Sequence, residues 1–476
     1  MKKFFYIITG ALFLVSIGCS DDFLDREPTD SVTDDILFTS ITGAQTALEG
    51  VHRSTYKFYN AHSAFGQKAN DMIIDLLGED LYPINDARYR HFYNWYKYIE
   101  SRDVNSSLLE YVWAYYYDII DNVNIIIEKV DNAEDAGTKE DQARNIKGQA
   151  YAYRAYSHWY LVQLFAHRYE PGGANSHLGV PLVITTSGEA LPRSSVAEVY
   201  EQINKDLDEA ISLLSASSTT RPNKSHINLN VVRAMKARVA LTTGNWNTAA
   251  TEANKAREGF PLTTHYDSGW NDANDPEWIW GAILIDEQQT SYASFFSQID
   301  PFFGGYATLG IQKSVSTEIF DYLPDTDVRK KLFQADIYHP DVFQTRFLGF
   351  PRVGYKFSGY GEWTNDYIYL KSGELYLIEA EALARQGKDA EAQKQTVTGE
   401  ELIRHILLER RAELWGDGFR FLDIKRLNIP LDRRNQGHNE LIYEQASHFP
   451  AGDKNLVFLI PQQEIDSNPN IVQNDL

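Results

Sequence analysis

Apolar residues recur at three- or four-residue steps along much of this 476-residue chain, and that period limits the fold more than any motif does. Between Ser195 and Leu214 the residues Val196, Val199, Ile203, Leu207, Ala210 and Leu214 fall on one side of a helix, and Ser195 with Glu198 reads as a capping box at its start. Leu108 to Val130 has the same texture. There Trp113, Tyr116, Ile120 and Ile127 share a face while Asp118, Asp121 and Glu128 point to water. The period dominates from about Thr39 to Leu214 and returns near Val231 and Gly373. A mainly α fold follows.

Two stretches share a spacing. Ala237, Gly244 and Ala249 in ARVALTTGNWNTA are matched by Ala380, Gly387 and Ala392 in AEALARQGKDAEA. Small residues where antiparallel helices cross, with a glycine at the turn between them, are what a tetratricopeptide-type helix pair requires. The copies stand far apart, so insertions separate the pairs and the array is loose. Gln149 to Phe165 and Val199 to Leu214 are further candidate members. The segment between Ala392 and Leu402 is short, which predicts an abbreviated second helix in the last pair.

From Phe260 to Phe357 glycine, proline, asparagine and aspartate mix with aromatics, and the helical period fades, predicting loops with short strands. Trp270, Trp278, Trp280, Tyr292, Phe295, Phe296, Phe302, Phe303 and Tyr306 fall here. A second such stretch, Asp80 to Tyr98, interleaves Tyr82, Tyr89, Arg90, Tyr93, Trp95 and Tyr98 with charged and amide groups. Rings beside hydrogen-bonding groups suit a sugar, whose C–H faces are apolar and whose edges are hydroxyls.

At the amino terminus Lys2 and Lys3 precede the apolar run Phe4 to Val15, then Ser16-Ile17-Gly18 and Cys19. The run is too short to span a bilayer, which needs roughly 20 apolar residues, so residues 1–18 read as a cleaved signal peptide. Cys19, the chain's single cysteine, stands at the cleavage point, where a thiol can carry lipid. Residues 19–38, beginning Ser20-Asp21-Asp22, then form a tether, and residues 39–476 one domain: a helical scaffold over 39–260 and 370–476, and the loop-rich region over 261–369. With one cysteine no internal disulfide is possible, so packing alone holds the fold. The formal net charge of −21 opposes binding to nucleic acid, whose phosphates it would repel.

Catalytic signatures are missing. There is no Gly-x-Ser-x-Gly elbow, phosphate loop, His-Glu-x-x-His helix or dinucleotide fingerprint. The twelve histidines are scattered, and a Cys/His metal cluster is unavailable once Cys19 is lipidated. Asp272, Asn274 and Asp275 lack the glycine of a calcium loop. No cofactor is expected and no metal site is assigned, though a loop-bound calcium stays open. A pair of carboxylates carries no local signature, so a surface glycoside hydrolase stays open. So does a peptide- or protein-binding adaptor, since tetratricopeptide-like grooves hold peptides.

The stretch Leu407 to Leu427, LLERRAELWGDGFRFLDIKRL, resembles the SusD/RagB family of outer-membrane nutrient-binding lipoproteins. The family's pattern is met by Glu409-Arg410, Glu413-Leu414, Asp417-Gly418, Arg420 and Asp423-Ile424-Lys425-Arg426. CSDDFLDREPTD after the signal, Trp113…Tyr117…Asn122, Arg154-Ala155, Val180-Pro181-Leu182, Tyr200…Asp206-Leu207…Ala210, AEALARQGK, Ile460-Pro461 and Asn468-Pro469-Asn470…Gln473-Asn474 look like family features in order. Physically, alternating Glu and Arg beside Leu, Trp and Phe in 407–427 predict a buried ion-pair lattice, a structural role. The resemblance implies a non-catalytic glycan receptor that sits as a lid on a TonB-dependent transporter of the SusC type, lipid-anchored on the outer face of the outer membrane. It implies capture of oligosaccharide by aromatic stacking on the loop face. Trp95, Trp270, Tyr306 and Trp363 are the stacking candidates, with Asp80 and Arg90 as polar partners.

Overall fold

The computed structural model describes residues 34–84, 89, 91–335, 352–354, 363–392, 397–438 and 446–475. Cys19, the signal segment and Arg90 lie outside them.

The scaffold is a set of helices: α1 (Ile41–Ser54), α2 (Gln67–Leu76), α3 (Ser107–Lys129), α4 (Glu140–Phe165), α5 (Val196–Ser215), α6 (Leu229–Thr243), α7 (Trp246–Ala256), α8 (Ser372–Ala384), α9 (Asp389–Ala392), α10 (Gly399–Glu413) and α11 (Arg420–Leu427). Helices α3 to α8 contact one another in chain order, α8 meets α10, α1 lies on α3 and α4, and α2 lies on α11. The fold is thus mainly α, with tetratricopeptide-like pairs. Among the described residues no helix is long and apolar enough to cross a membrane.

Local chemistry accounts for the boundaries. The Ser195 hydroxyl accepts from the Glu198 N–H at 3.2 Å while Glu198 accepts from the Ser195 N–H at 2.8 Å, completing the capping box of α5. Ser106 caps α3. Gly244 ends α6 at φ 73°, a left-handed conformation that a side chain would strain. Gly387 does the same after α8, at φ 71°. The helix that follows it, α9, is described over Asp389–Ala392, and residues 393–396, where the abbreviated second helix is expected to end, lie outside the described residues.

Charged pairs join the apolar layers. Arg154 of α4 makes a two-pronged bond to Asp206 of α5, at 2.8 and 2.7 Å, and Arg238 of α6 does likewise to Glu374 of α8, at 2.8 and 2.6 Å. In the carboxy-terminal stretch Arg410 and Arg426 both bind Asp423, Arg426 also binds Glu381 at 2.8 Å, and Arg420 pairs with Glu79. The Asp75 carboxylate accepts the backbone N–H groups of Gly418, Phe419 and Arg420. These groups are almost fully buried. The expected ion-pair lattice is present and structural.

Within 261–369 the chain forms short strands. A four-stranded antiparallel sheet has the order β1 (Leu81–Pro83), β3 (Lys313–Val315), β5 (Arg352–Gly354), β4 (Phe333–Ala335). A separate pair joins β2 (Trp278–Ala282) to β6 (Tyr367–Lys371), with Ala282 opposite Tyr367. Trp278 and Trp280 of β2 are buried, so these two loop-region aromatics serve the core.

Candidate functional site

The residues expected to meet ligand separate into two groups. Trp95 is fully buried and packs on Phe458, with ring centroids 5.5 Å apart. Trp270 is also buried, and the Lys371 ammonium sits 4.3 Å from its ring centre. Asp80 belongs to the ion-pair lattice: Arg411 donates to it at 2.6 Å and Ser316 at 3.3 Å. Burial alone would raise the Asp80 carboxyl, but Arg411 and Arg420 outweigh it and hold it below its ordinary value. The expectation that these three face ligand is therefore corrected. Each is covered by a chain segment distant in sequence. Trp95→Ala is expected to cost about 3–5 kcal/mol of stability, as loss of a fully packed aromatic does, while the folded fraction keeps its ligand affinity. Urea unfolding beside a binding titration checks both.

Tyr306 and Trp363, in contrast, belong to one aromatic run that opens to the surface, although Tyr306 itself is only 8% exposed. Tyr292 lies between them, 5.2 Å from each ring, and Tyr89 continues the run 5.0 Å from Tyr306. Tyr292 is 41% and Tyr89 45% exposed, and Trp363 is half-buried. Beneath this run Phe303 meets Trp363 edge-on at 4.5 Å. At the Tyr306 end His91 lies 4.5 Å away and His62 beyond it, with His62 Nδ1 3.1 Å from the Tyr306 hydroxyl. Phe58 and Phe302, 44% and 51% exposed, lie at the margins: Phe58 6.1 Å from His62, and Phe302 next in sequence to Phe303. Rings this close, left partly open on loops, form a surface that offers flat faces and hydroxyl edges together.

Short-range hydrogen bonds hold the loops. Ser294 caps the short helix Phe295–Ile299, Asp300 accepts from the Phe302 N–H at 2.8 Å, and Ser297 accepts from Tyr306 through its hydroxyl and from Ala307 through its carbonyl. The returning chain crosses that helix at Gly305, where a Cβ would stand 2.5 Å from the Ser297 Cα. Only glycine fits this crossing. Lys313, buried on β3, donates to the Gln298 and Ile311 carbonyls at 2.8 Å each, and burial pushes its ammonium down to about 7. Tyr89 has φ 66°, an uncommon conformation for an aromatic residue and one that clusters at functional sites.

The electrostatics favour a neutral ligand. Burial first, then His62 and Lys313, push the His91 imidazole down to about 4, so it is uncharged at pH 7. Burial raises the Tyr306 phenol, which remains a hydrogen-bond donor. Reading the sequence alone placed Tyr292 and Tyr89 among the loop aromatics without choosing them for stacking, and missed His62 and His91. The signal for Tyr292 was its setting, QTSYAS, an aromatic among small polar residues with no apolar period around it. A surface groove of about 620 Å³ runs along α5, α6 and the start of α7, lined by Glu201, Asn204, Asp208, Lys236 and Asn245. Its aromatics, Tyr169 and Tyr200, pack on each other edge to face at 4.9 Å, and Tyr200 is buried.

Comparison with known proteins gives consistent matches. A family model described as "Starch-binding associating with outer membrane" matches residues 22–241, and the model of the SusD family matches residues 388–476. SusD-like protein P2 of Formosa agariphila is 25% identical over an alignment that takes in 100% of this chain and 99% of that protein. Among solved structures, a SusD-like carbohydrate-binding protein of Bacteroides vulgatus superposes with a TM-score of 0.77 at 23% identity, covering 92% of this chain and 98% of the other. A laminarin-binding SusD-like protein superposes with a TM-score of 0.63 at 18% identity, covering 91% and 98%. At these identities the structures report a common fold.

Proposed function

Because the chain belongs to the SusD/RagB family, we propose that it is a non-catalytic surface receptor that captures oligo- or polysaccharide and passes it to a partner TonB-dependent transporter of the SusC type. Lipid on Cys19 anchors it to the outer membrane, and the acidic tether after it leaves the body on the extracellular face. The observation that carries the glycan reading is the run Trp363, Tyr292, Tyr306, Tyr89 at the loop surface. Stacking on these rings buries the C–H faces of a sugar, and the tyrosine hydroxyls meet its edge. Delivery follows from the family resemblance: a receptor that holds its ligand by many weak contacts releases it readily into a transporter beneath.

The test is a panel of purified glycans, starting with starch and laminarin, titrated against the mature protein by calorimetry while reducing ends are assayed in the same samples. The expected result is saturable binding to at least one neutral glycan with no release of reducing sugar. Sugar release would move the protein to the surface hydrolases, and binding to peptides with none to glycans would move it to the adaptors.

A further inference from the structure

Histidines that are scattered in sequence meet at one place in the fold. Glu49 and His52 stand three residues apart on α1, hence on one face of it. His226 comes from the loop before α6. A carboxylate oxygen of Glu49 and one ring nitrogen of each histidine lie within 4.8 Å of one another. His226 Nε2 is 3.5 Å from the Glu49 carboxylate, and the two imidazoles meet edge to face at 4.4 Å. Both histidines are almost completely buried, at 3% and 4% exposure. Among the described residues neither His52 Nε2 nor His226 Nδ1 has a hydrogen-bond partner. Buried imidazole nitrogens are normally satisfied, so the unpartnered His52 Nε2 calls for a ligand, and His226 presents its Nε2 to the same carboxylate.

We propose that Glu49, His52 and His226 form a divalent transition-metal site that ties α1 to the loop preceding α6, zinc being the ion this donor set fits. Two imidazoles and one carboxylate suit zinc, whereas calcium and magnesium take sets composed of oxygen. With metal–ligand bonds of about 2.0–2.2 Å, tetrahedral donors stand about 3.4 Å apart, so the cluster must contract. The Glu49 side chain, 48% exposed, is free to turn inward, and its open side gives the ion access. Tyr153 of α4 holds His52 from behind, its hydroxyl 2.7 Å from Nδ1. A proton on Nδ1 donated to that hydroxyl leaves the Nε2 lone pair for the metal, the usual outer-shell arrangement of a ligating histidine. The His226 loop is fixed independently: Arg221 donates to the His226 carbonyl at 3.3 Å and to Ile279 at 2.8 Å, and the Gln149 side chain accepts from the Ile227 N–H at 3.0 Å. Three protein ligands leave a fourth position for water.

The experiment uses the mature, tag-free chain, stripped with chelator and re-equilibrated with zinc, with metal content read after gel filtration. Cobalt is the spectroscopic probe, since a tetrahedral site gives it visible absorption. The expected result is one zinc per chain, a cobalt spectrum, and a rise in Tm with zinc. Glu49→Ala and His226→Phe should each weaken zinc binding at least tenfold and remove the Tm response. Should His226→Phe fail to fold, Glu49→Ala, at a surface position, decides alone. A wild-type chain that retains no zinc, or variants that bind it as tightly as wild type, would overturn the site.

Discussion

Replacing Tyr306 and Trp363 together by alanine is expected to reduce glycan affinity by more than two orders of magnitude. A stacked ring at the centre of a binding surface is worth about 1–3 kcal/mol on truncation, or roughly 5- to 150-fold in affinity. Both rings adjoin Tyr292, so the two losses should not simply add. Trp363 is half-buried and its removal should hardly disturb the fold. Tyr306 is 8% exposed and also meets His62, so its removal should cost some stability as well. Tyr306→Phe separates ring from hydroxyl: it should keep most of the affinity if stacking dominates. Calorimetry with the tightest glycan of the panel reads both variants beside wild type, and unchanged affinity in the double variant would refute the assignment.

The second large effect concerns stability. Asp423→Ala should cost about 3–5 kcal/mol, because it leaves Arg410 and Arg426 as buried cations short of a counter-ion. Asp423 accepts from Arg410 Nε at 2.8 Å and from Arg426 Nε at 2.7 Å. Burial works against its charge, but Arg410 and Arg426 prevail and hold its carboxyl down at about 2 against an ordinary 3.8. With the folded value depressed, the unfolded chain takes the proton first, so this contribution is fully present above pH 3.8 and disappears as pH falls through 2. Glu381, beside Arg426, is shifted in the same direction. Asp71 and Asp75 run the other way, raised mainly by burial to about 7 and about 6, and they weaken the fold as pH rises through those values. Urea unfolding of wild type and Asp423→Asn at several pH values checks the sign: the gap between them should narrow from pH 4 to pH 2 and stay constant above.

The scaffold was legible where its determinants are local. The period of Val196, Val199, Ile203 and Leu207 and the Ser195–Glu198 box predicted α5 together with its start. The glycines 244 and 387 marked turns because few other residues adopt a left-handed conformation without strain. The run of Glu and Arg from 407 to 427 foretold the lattice, since so many charges beside Leu, Trp and Phe have no other low-energy arrangement. The site was legible only as a class. Tyr306 and Trp363 were chosen for their surroundings, and so were Trp95 and Trp270, yet only the first two join the open aromatic run, Trp363 half-buried and Tyr306 largely covered within it.

The sequence by itself determined a mainly α chain, helix pairs with small residues at their crossings, and a surplus of loop aromatics. Tertiary structure alone decided which aromatics stay open and which polar groups meet. Caps and periods are written within about four residues of chain, over the range of a helical hydrogen bond. Exposure depends on whichever remote segment arrives: Phe458 closes over Trp95, Lys371 covers Trp270, and Arg411 takes Asp80 into the lattice. No segment closes over Tyr89 or Tyr292 among the described residues. The same long-range closure brings His226 to Glu49 and His52, a meeting that no local spacing could announce.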